Sequence, residues 1–409
     1  MSKAVLRPMG ATAADARPSG TTHRSPLRAV RRTLPRRSAL RAGLVALSAS
    51  TLAVATITGA AGQAAAIPAA LPAATGHVYY ISPGSYAQQR MAAAMAKLRP
   101  GDTLKINPGT YGLDLRPDLR LARGTRSQRI VVTAADPNRP PLLLGAVKLD
   151  QPDWWILSHI RIQGNIANRD SLTINSGTGW VASSLEVFGA RQTGAYANVV
   201  ITKYQGYPTP NRFIFVYSCV HDAGHTAARQ GQQHDIYVNA VGNTGNALIA
   251  RNILTGATYG AAIKLGDGGA YNAPGPDNIQ VANNTMFYNG EQILLHGRST
   301  GHTIRGNLLV GSTRTLTNGY DTIGIYLSGL TNGASGTRPI LVEQNYFSNL
   351  TRPLYNQGSQ YGTVREAGDD HLYRGPGFAS GGCGGLRPTD AHAKYYGRYA
   401  QRSLYTVPS

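Results

Sequence analysis

The chain has 409 residues, with 40 Lys and Arg against 20 Asp and Glu and a formal net charge of +20. A basic balance favours acidic partners, but these residues are scattered, with no basic helix and no recognisable nucleic-acid module, so nucleic acid is not the expected partner. Two cysteines are too few for a disulfide framework.

Residues 1–41 are rich in Arg, Ser and Pro and lack any apolar period, so they cannot pack a core. Arg36-Arg37-Ser38-Ala39-Leu40-Arg41 then precedes an uncharged apolar stretch over 42–61, and Ala64-Ala65-Ala66 supplies small residues for cleavage. This order is that of an export signal, and the paired arginines resemble a twin-arginine signal. The stretch is only weakly apolar and no second one follows, so stable membrane insertion is not expected. Without residues 1–66 the chain keeps 30 Lys and Arg against 19 Asp and Glu, a net +11. An exported protein of this charge suits an acidic polysaccharide outside the cell.

The mature chain opens with a short predicted helix within 86–99, around Met91, Met95 and Leu98, placed to cap the first structural layer. Residues 101–111 predict a strand ending in a tight turn. From Ile130 to Tyr355, β-branched runs alternate with Gly- and Asn-rich turns, without a helical period. The clearest units are 248–254, 279–286, 303–309 and 340–347, each a strand, a corner Asn and the start of a second strand. Further strands follow or precede them at 234–238, 261–265, 292–296 and 323–327. The intervals between Asn252, Asn284, Asn307 and Asn345 are 32, 23 and 38 residues, one coil each with loops of different length.

Such a repeat predicts an all-β fold, a single-stranded right-handed parallel β-helix. One coil exposes its apolar interior at both ends, so coils are stable only when stacked about 4.8 Å apart. A corner amide can bond its counterpart one coil away. Cys219, in the apolar run 213–220, is expected at that ladder position as a buried thiol. Cys383 lies in a Gly-rich segment, and no structural dependence on a disulfide is expected. The predicted organisation is a signal and leader over 1–66, the β-helix over 67–374, and a C-terminal covering over 375–409, as a monomer.

Gly101-Asp102-Thr103, Pro108-Gly109-Thr110-Tyr111, Gly124-Thr125, Arg129-Ile130-Val131-Val132 and Trp154-Trp155-Ile156-Leu157 stand in an order that resembles secreted right-handed β-helix proteins of the pectate lyase-like superfamily. The stretch 101–164 is most similar to the chondroitinase B and alginate lyase family of polysaccharide lyases. That resemblance implies a Lys base on one coil and an Arg about one coil later as acid or charge stabiliser. Lys264 in Ala262-Ile263-Lys264-Leu265 matches the first, while Leu295-His296-Gly297-Arg298 offers both His296 and Arg298 for the second. The family often holds Ca²⁺ through an acidic residue shortly before the Lys. Here that stretch is Tyr259-Gly260-Ala261-Ala262, so no metal ligand is assigned and the cofactor stays open.

Uronate elimination needs a base for the proton α to the carboxylate, an acid for the leaving oxygen, and charge stabilisation of the carboxylate. Period-two alternation turns Ile263 and Leu265 inward and Lys264 outward, with Tyr237 and Tyr326 at corresponding outward positions. The candidate catalytic residues are therefore Lys264, His296, Arg298 and Tyr237. His234, Asp235, Tyr326 and Asp267 are the candidate substrate-binding residues. Asp235 is expected outward and His234 inward, while Asp267 opens an inserted loop beside Lys264. His221, Asp222 and His225 form a further cluster without diagnostic metal spacing. A glycoside hydrolase using two of Asp222, Asp235, Asp267, Asp277, Glu291 and Asp321, for instance Asp235 with Asp267, a uronate epimerase and a non-catalytic glycan-binding solenoid remain as alternatives.

Overall fold

The computed structural model describes residues 74–408, apart from 116–120, 191–194, 204–205, 224–231, 267–274, 312–321, 329–338, 357–363, 373–374, 381 and 402. All described residues lie in one compact unit, Ala60–Ser409. The expected export signal over residues 1–66 lies outside them.

The strands pair in parallel, each with the strand one coil away. Gly242–Ala250, Ile253–Thr255 and Ala261–Leu265 make one coil. Pro276–Ala282, Thr285–Phe287 and Glu291–His296 stack on them in the same order. The chain is thus a right-handed parallel β-helix with three strands per coil, as the repeat predicts. Its outer surface has three faces, here numbered in the chain order of those three strands. Alternate side chains such as Ile249, Leu254, Ile263, Val281, Met286 and Ile293 fill one continuous core.

The corner between the first and second faces sets the register. Each ladder residue follows a residue in the left-handed region: Arg251 (φ 55°), Asn283 (53°), Gly306 (65°) and Gln344 (54°). That conformation turns the chain sharply and aims the next side chain inward. Asn252 Nδ2 donates to Asn284 Oδ1 (3.0 Å) and to the Phe215 carbonyl (3.0 Å). Asn284 repeats this with Asn307 and Ile249, and Asn307 with Asn345 and Val281. Asn345 ends the run on Asp369 Oδ1 (3.2 Å). Each Oδ1 also accepts the backbone N–H of the preceding ladder residue, so these fully buried amides are satisfied.

Cys219 does not occupy this ladder. Its register partner is Ile253, which places Ser218 opposite Asn252, and Ser218 N–H donates to Asn252 Oδ1 (2.9 Å). A shift of one residue moves a strand side chain to the other face. Cys219 therefore points outward and forms a disulfide with Cys383, 164 residues away, against the expectation of a buried free thiol. Sequence spacing held no sign of this bond because Cys383 arrives from a segment outside the repeat.

That segment, 375–408, folds back along the first two faces. Tyr405 packs on Ile214, Val216, Leu248 and Ala250 of the first face. Leu386 meets Ile253, and Tyr396 meets Leu308 and Tyr346, on the second face. Arg251 ties the segment down through Tyr405 Oη, Ser403 Oγ and the carbonyls of Arg398 and Ala400. Among the described residues the third face carries no such covering. At the other end, the helix Ala87–Lys97 lays Met91 and Met95 on the first coil and closes the core there.

A bond closing so long a loop stabilises by up to about 5 kcal/mol in chain-entropy accounting. Cys383→Ser is expected to lower the thermal midpoint by several degrees and to open 375–408 to proteolysis before the coils. An unchanged midpoint and digestion pattern would contradict this clamping role.

Candidate active site

The third face is built from strands His234–Asn239, Ala261–Leu265, Glu291–His296 and Ile323–Ser328, stacked in register. One outward column runs Val200, Tyr237, Lys264, Leu294, Tyr326, Tyr355. A second column, nearer the strand starts, includes His234, Ala261, Glu291 and Ile323. His296 and Ser328 pair in a third column, in which Gly266 precedes His296. Lys264 thus lies at the centre, with Ala261 and Gly266 on either side in its own strand and larger polar groups on both neighbouring rungs. Gly266 is required there: at φ 121°, an added Cβ would fall 1.6 Å from the His296 carbonyl oxygen.

The Lys264 ammonium sits 4.9 Å from the centroid of the Tyr237 ring, and the His234 ring lies 5.6 Å from the same ring. Tyr196 flanks Tyr237 at 6.3 Å. Only 6% of Lys264 and 1% of His234 are exposed, so charges here interact with little screening from water. Burial, reinforced by the positive charges of Lys264 and His296, pushes the His234 pKa well below the usual histidine range. The ring is neutral at neutral pH. Its Nδ1 accepts the Ala261 N–H (2.9 Å), which leaves the proton on Nε2.

His234 and Asp235 exchange the sides expected for them. The ladder keeps its register here, pairing Ala197 with His234 and Val199 with Ile236, while Asp235 and Ile236 are both fully buried. Two successive residues turn inward, as Ala262 and Ile263 do one coil later. Strict alternation fails there, so counting back from Tyr237 assigns both residues to the wrong side. His234 consequently joins Lys264 and Tyr237, while Asp235 is fully buried beside Asn198, whose amide donates to its Oδ1 (3.3 Å). Burial raises the Asp235 pKa well above the carboxylate range.

Tyr326 stands in the Lys264 column but two rungs away, with Leu294 between them. Arg298 lies beyond Gly297 and is exposed. Asp267 lies outside the described residues, as does His225. His221 is on the second face, where Asp222 (2.8 Å) and Glu186 (3.3 Å) engage its two ring nitrogens. Cys219, Cys383 and His221 gather metal-type donor atoms within 4.8 Å, but the disulfide occupies both sulfurs.

Glu291, weighed from the sequence only as one acid of a hydrolase pair, is placed here beside the candidate base. It pairs in register with Ala261, whose small side chain leaves the carboxyl within reach of the Lys264 charge. Burial raises its pKa to about 7, against the opposing pull of the Lys264 charge. The signal in the sequence was an acid at the start of a strand otherwise made for the core, Glu291-Gln292-Ile293-Leu294-Leu295. The arrangement is a cation between a half-protonated carboxyl and a neutral imidazole, with a phenol against it. It can take and give protons near neutrality.

No family model and no curated protein matches the chain. Among solved structures it is similar to an alginate lyase from Paenibacillus sp. str. FPU-7 at 16% identity and a TM-score of 0.47, covering 73% of this chain and 98% of that one. It is also similar to the pectate lyase Pel9A (14%, TM-score 0.40, 74% and 77% covered). A family 6 polysaccharide lyase from Pseudopedobacter saltans is similar at 10% identity and a TM-score of 0.36, covering 79% and 100%. The likeness concerns the coil as a whole and assigns no residue a role.

Because the Glu291 pKa rises on folding, the native state loses stability as pH climbs from the unfolded carboxylate range through about 7. Glu291→Gln removes that loss. The variant is expected to melt a few degrees above the wild type at pH 8, with the advantage shrinking below pH 5. A constant difference between the two melting curves across this range would refute the assignment.

Proposed function

We propose that the protein cleaves an acidic, uronate-containing polysaccharide by β-elimination, acting outside the cell. The observation that supports this best is Lys264, held nearly buried against the Tyr237 ring on the face that, among the described residues, the C-terminal segment does not cover. In this reading Lys264 acts from its neutral amine form and removes the C5 proton of a uronate. The electron pair forms the C4=C5 double bond, the C4–O bond breaks, and the Tyr237 hydroxyl protonates the leaving oxygen. Lys264 then releases the proton it took to solvent, and Tyr237 regains its own as product leaves. His296, one rung beyond Lys264, is assigned to the substrate carboxylate, whose negative charge grows as the proton departs. Arg298 has no part in this scheme, since its place beyond Gly297 leaves the role to His296.

A hydrolase needs two carboxyls flanking the scissile bond, roughly 5 to 9.5 Å apart. The inward turn of Asp235 removes one half of the Asp235–Asp267 pair, and Glu291 is the acid that remains in the groove among the described residues. The elimination reading is therefore preferred over hydrolysis.

Incubation with polymers of mannuronate, guluronate, galacturonate and glucuronate-containing glycosaminoglycans is expected to raise ultraviolet absorbance at the unsaturated-uronate band for at least one. Lys264→Ala should lower that rate by about 10²-fold or more, the range expected for removing a general base. New reducing ends without absorbance would establish hydrolysis instead, and full turnover by Lys264→Ala would remove the base assignment.

A further inference from the structure

The Lys264 column continues past the reacting centre in the direction of the stack. Leu294 is a low apolar step on the rung after Lys264, with only 6% of its surface exposed. Tyr326 follows on the next rung and Tyr355 on the one after it, in register. Their rings stack, with centroids 5.1 Å apart and planes 27° from parallel. The guanidinium of Arg352, which pairs with Ile323 in the neighbouring column, lies 4.5 Å from the Tyr355 ring. Arg352 itself is exposed. At about 4.8 Å per rung, Tyr326 stands about 10 Å and Tyr355 about 14 Å from the Lys264 position.

We propose that an acidic polysaccharide lies along the stacking direction, over Tyr237, Lys264, Leu294, Tyr326 and Tyr355, and that Arg352 with the Tyr326–Tyr355 pair binds a uronate unit remote from the reacting one. This rests on the elimination reading of the same groove and extends it to the class of substrate. Three features carry it. The rung repeat is close to the length of one sugar unit in an extended chain, so groups in one column meet successive units. The stacked pair offers a sugar its ring edges as a preordered rim at little entropic cost. A guanidinium braced on a ring presents its fork to a carboxylate, which a neutral sugar lacks. The substrate is then a chain with carboxylates on several units around the scissile bond, rather than a neutral glycan carrying a single uronate.

The test measures binding without turnover, in the Lys264→Ala background, by affinity electrophoresis and calorimetry. The probes are the polyuronate that the wild type binds best, its methyl-esterified form and a trisaccharide of the same sugar. Adding Arg352→Ala is expected to weaken polymer binding about tenfold, with a smaller loss for the trisaccharide and a shallower salt dependence. Arg352→Lys should recover part of the affinity, and the esterified polymer should bind weakly with or without Arg352. Tyr355→Phe, which keeps the stack, should bind as the background does, while Tyr355→Ala should follow Arg352→Ala. Arg365→Ala removes one exposed charge from the last strand of the first face and serves as the control for net charge. Polymer binding unaltered by Arg352→Ala, or lowered equally by Arg365→Ala, would overturn the proposal, with thermal melts confirming that each variant is folded. Arg352-dependent binding by a wild type that yields no unsaturated product would leave this subsite standing and remove the elimination reading alone.

Discussion

The buried amide ladder at the first corner is the constraint on which the remaining geometry depends. Parallel strands of three to nine residues specify register weakly by themselves, and a slip of one residue would turn every side chain to the opposite face. Asn252, Asn284, Asn307 and Asn345 prevent that slip, because a displaced amide would be left buried without partners. With the corner fixed, loops of very different length can be inserted between rungs without disturbing the columns. That is why residues as distant in sequence as Tyr237, Lys264, Leu294 and Tyr326 arrive on one line.

The C-terminal segment decides which of the three faces is available. It covers apolar outward residues on the first face, through Tyr405, and on the second, through Leu386 and Tyr396, and the Cys219–Cys383 bond fastens it. A disulfide of this kind persists in oxidising surroundings, which agrees with the proposed export. The third face keeps Ala261 and Gly266 in the middle of its polar columns. A larger residue at Ala261 would crowd Glu291 beside Lys264, and any side chain at Gly266 would strike the His296 carbonyl.

Assembling that face lowers stability. His234, Lys264 and Glu291 are each nearly buried, and burial opposes the charged forms of His234 and Glu291. A purely structural solenoid would place β-branched residues there, as the column does at Val200 and Ile323. Ionisable groups gathered where packing alone would select Val or Ile are a mark of function. The ion pairs on the second face are of a different kind. Glu186 bridges Arg161 and His221 and is held down to about 2, chiefly by its hydrogen bond to His221 against the effect of burial. This network joins neighbouring coils with its charges satisfied.

By itself the sequence determined the coil, its interior residues, the four-Asn ladder with its intervals, the capping helix and the outward direction of Lys264 and Tyr237. All of these follow from local alternation or a repeated corner, which a linear reading can count. Tertiary structure decided what depends on an interruption of that count or on a distant segment. The break in alternation at Asp235 and Ile236 reversed His234 and Asp235. The outward turn of Cys219 created a disulfide where a buried thiol was expected. Glu291 became a neighbour of Lys264 because Ala261 lies opposite it one coil earlier. Periodicity specifies which side of a strand a residue takes. Which residues then meet across rungs is set by register and by breaks in alternation, and these are properties of stacked coils rather than of any one stretch of chain.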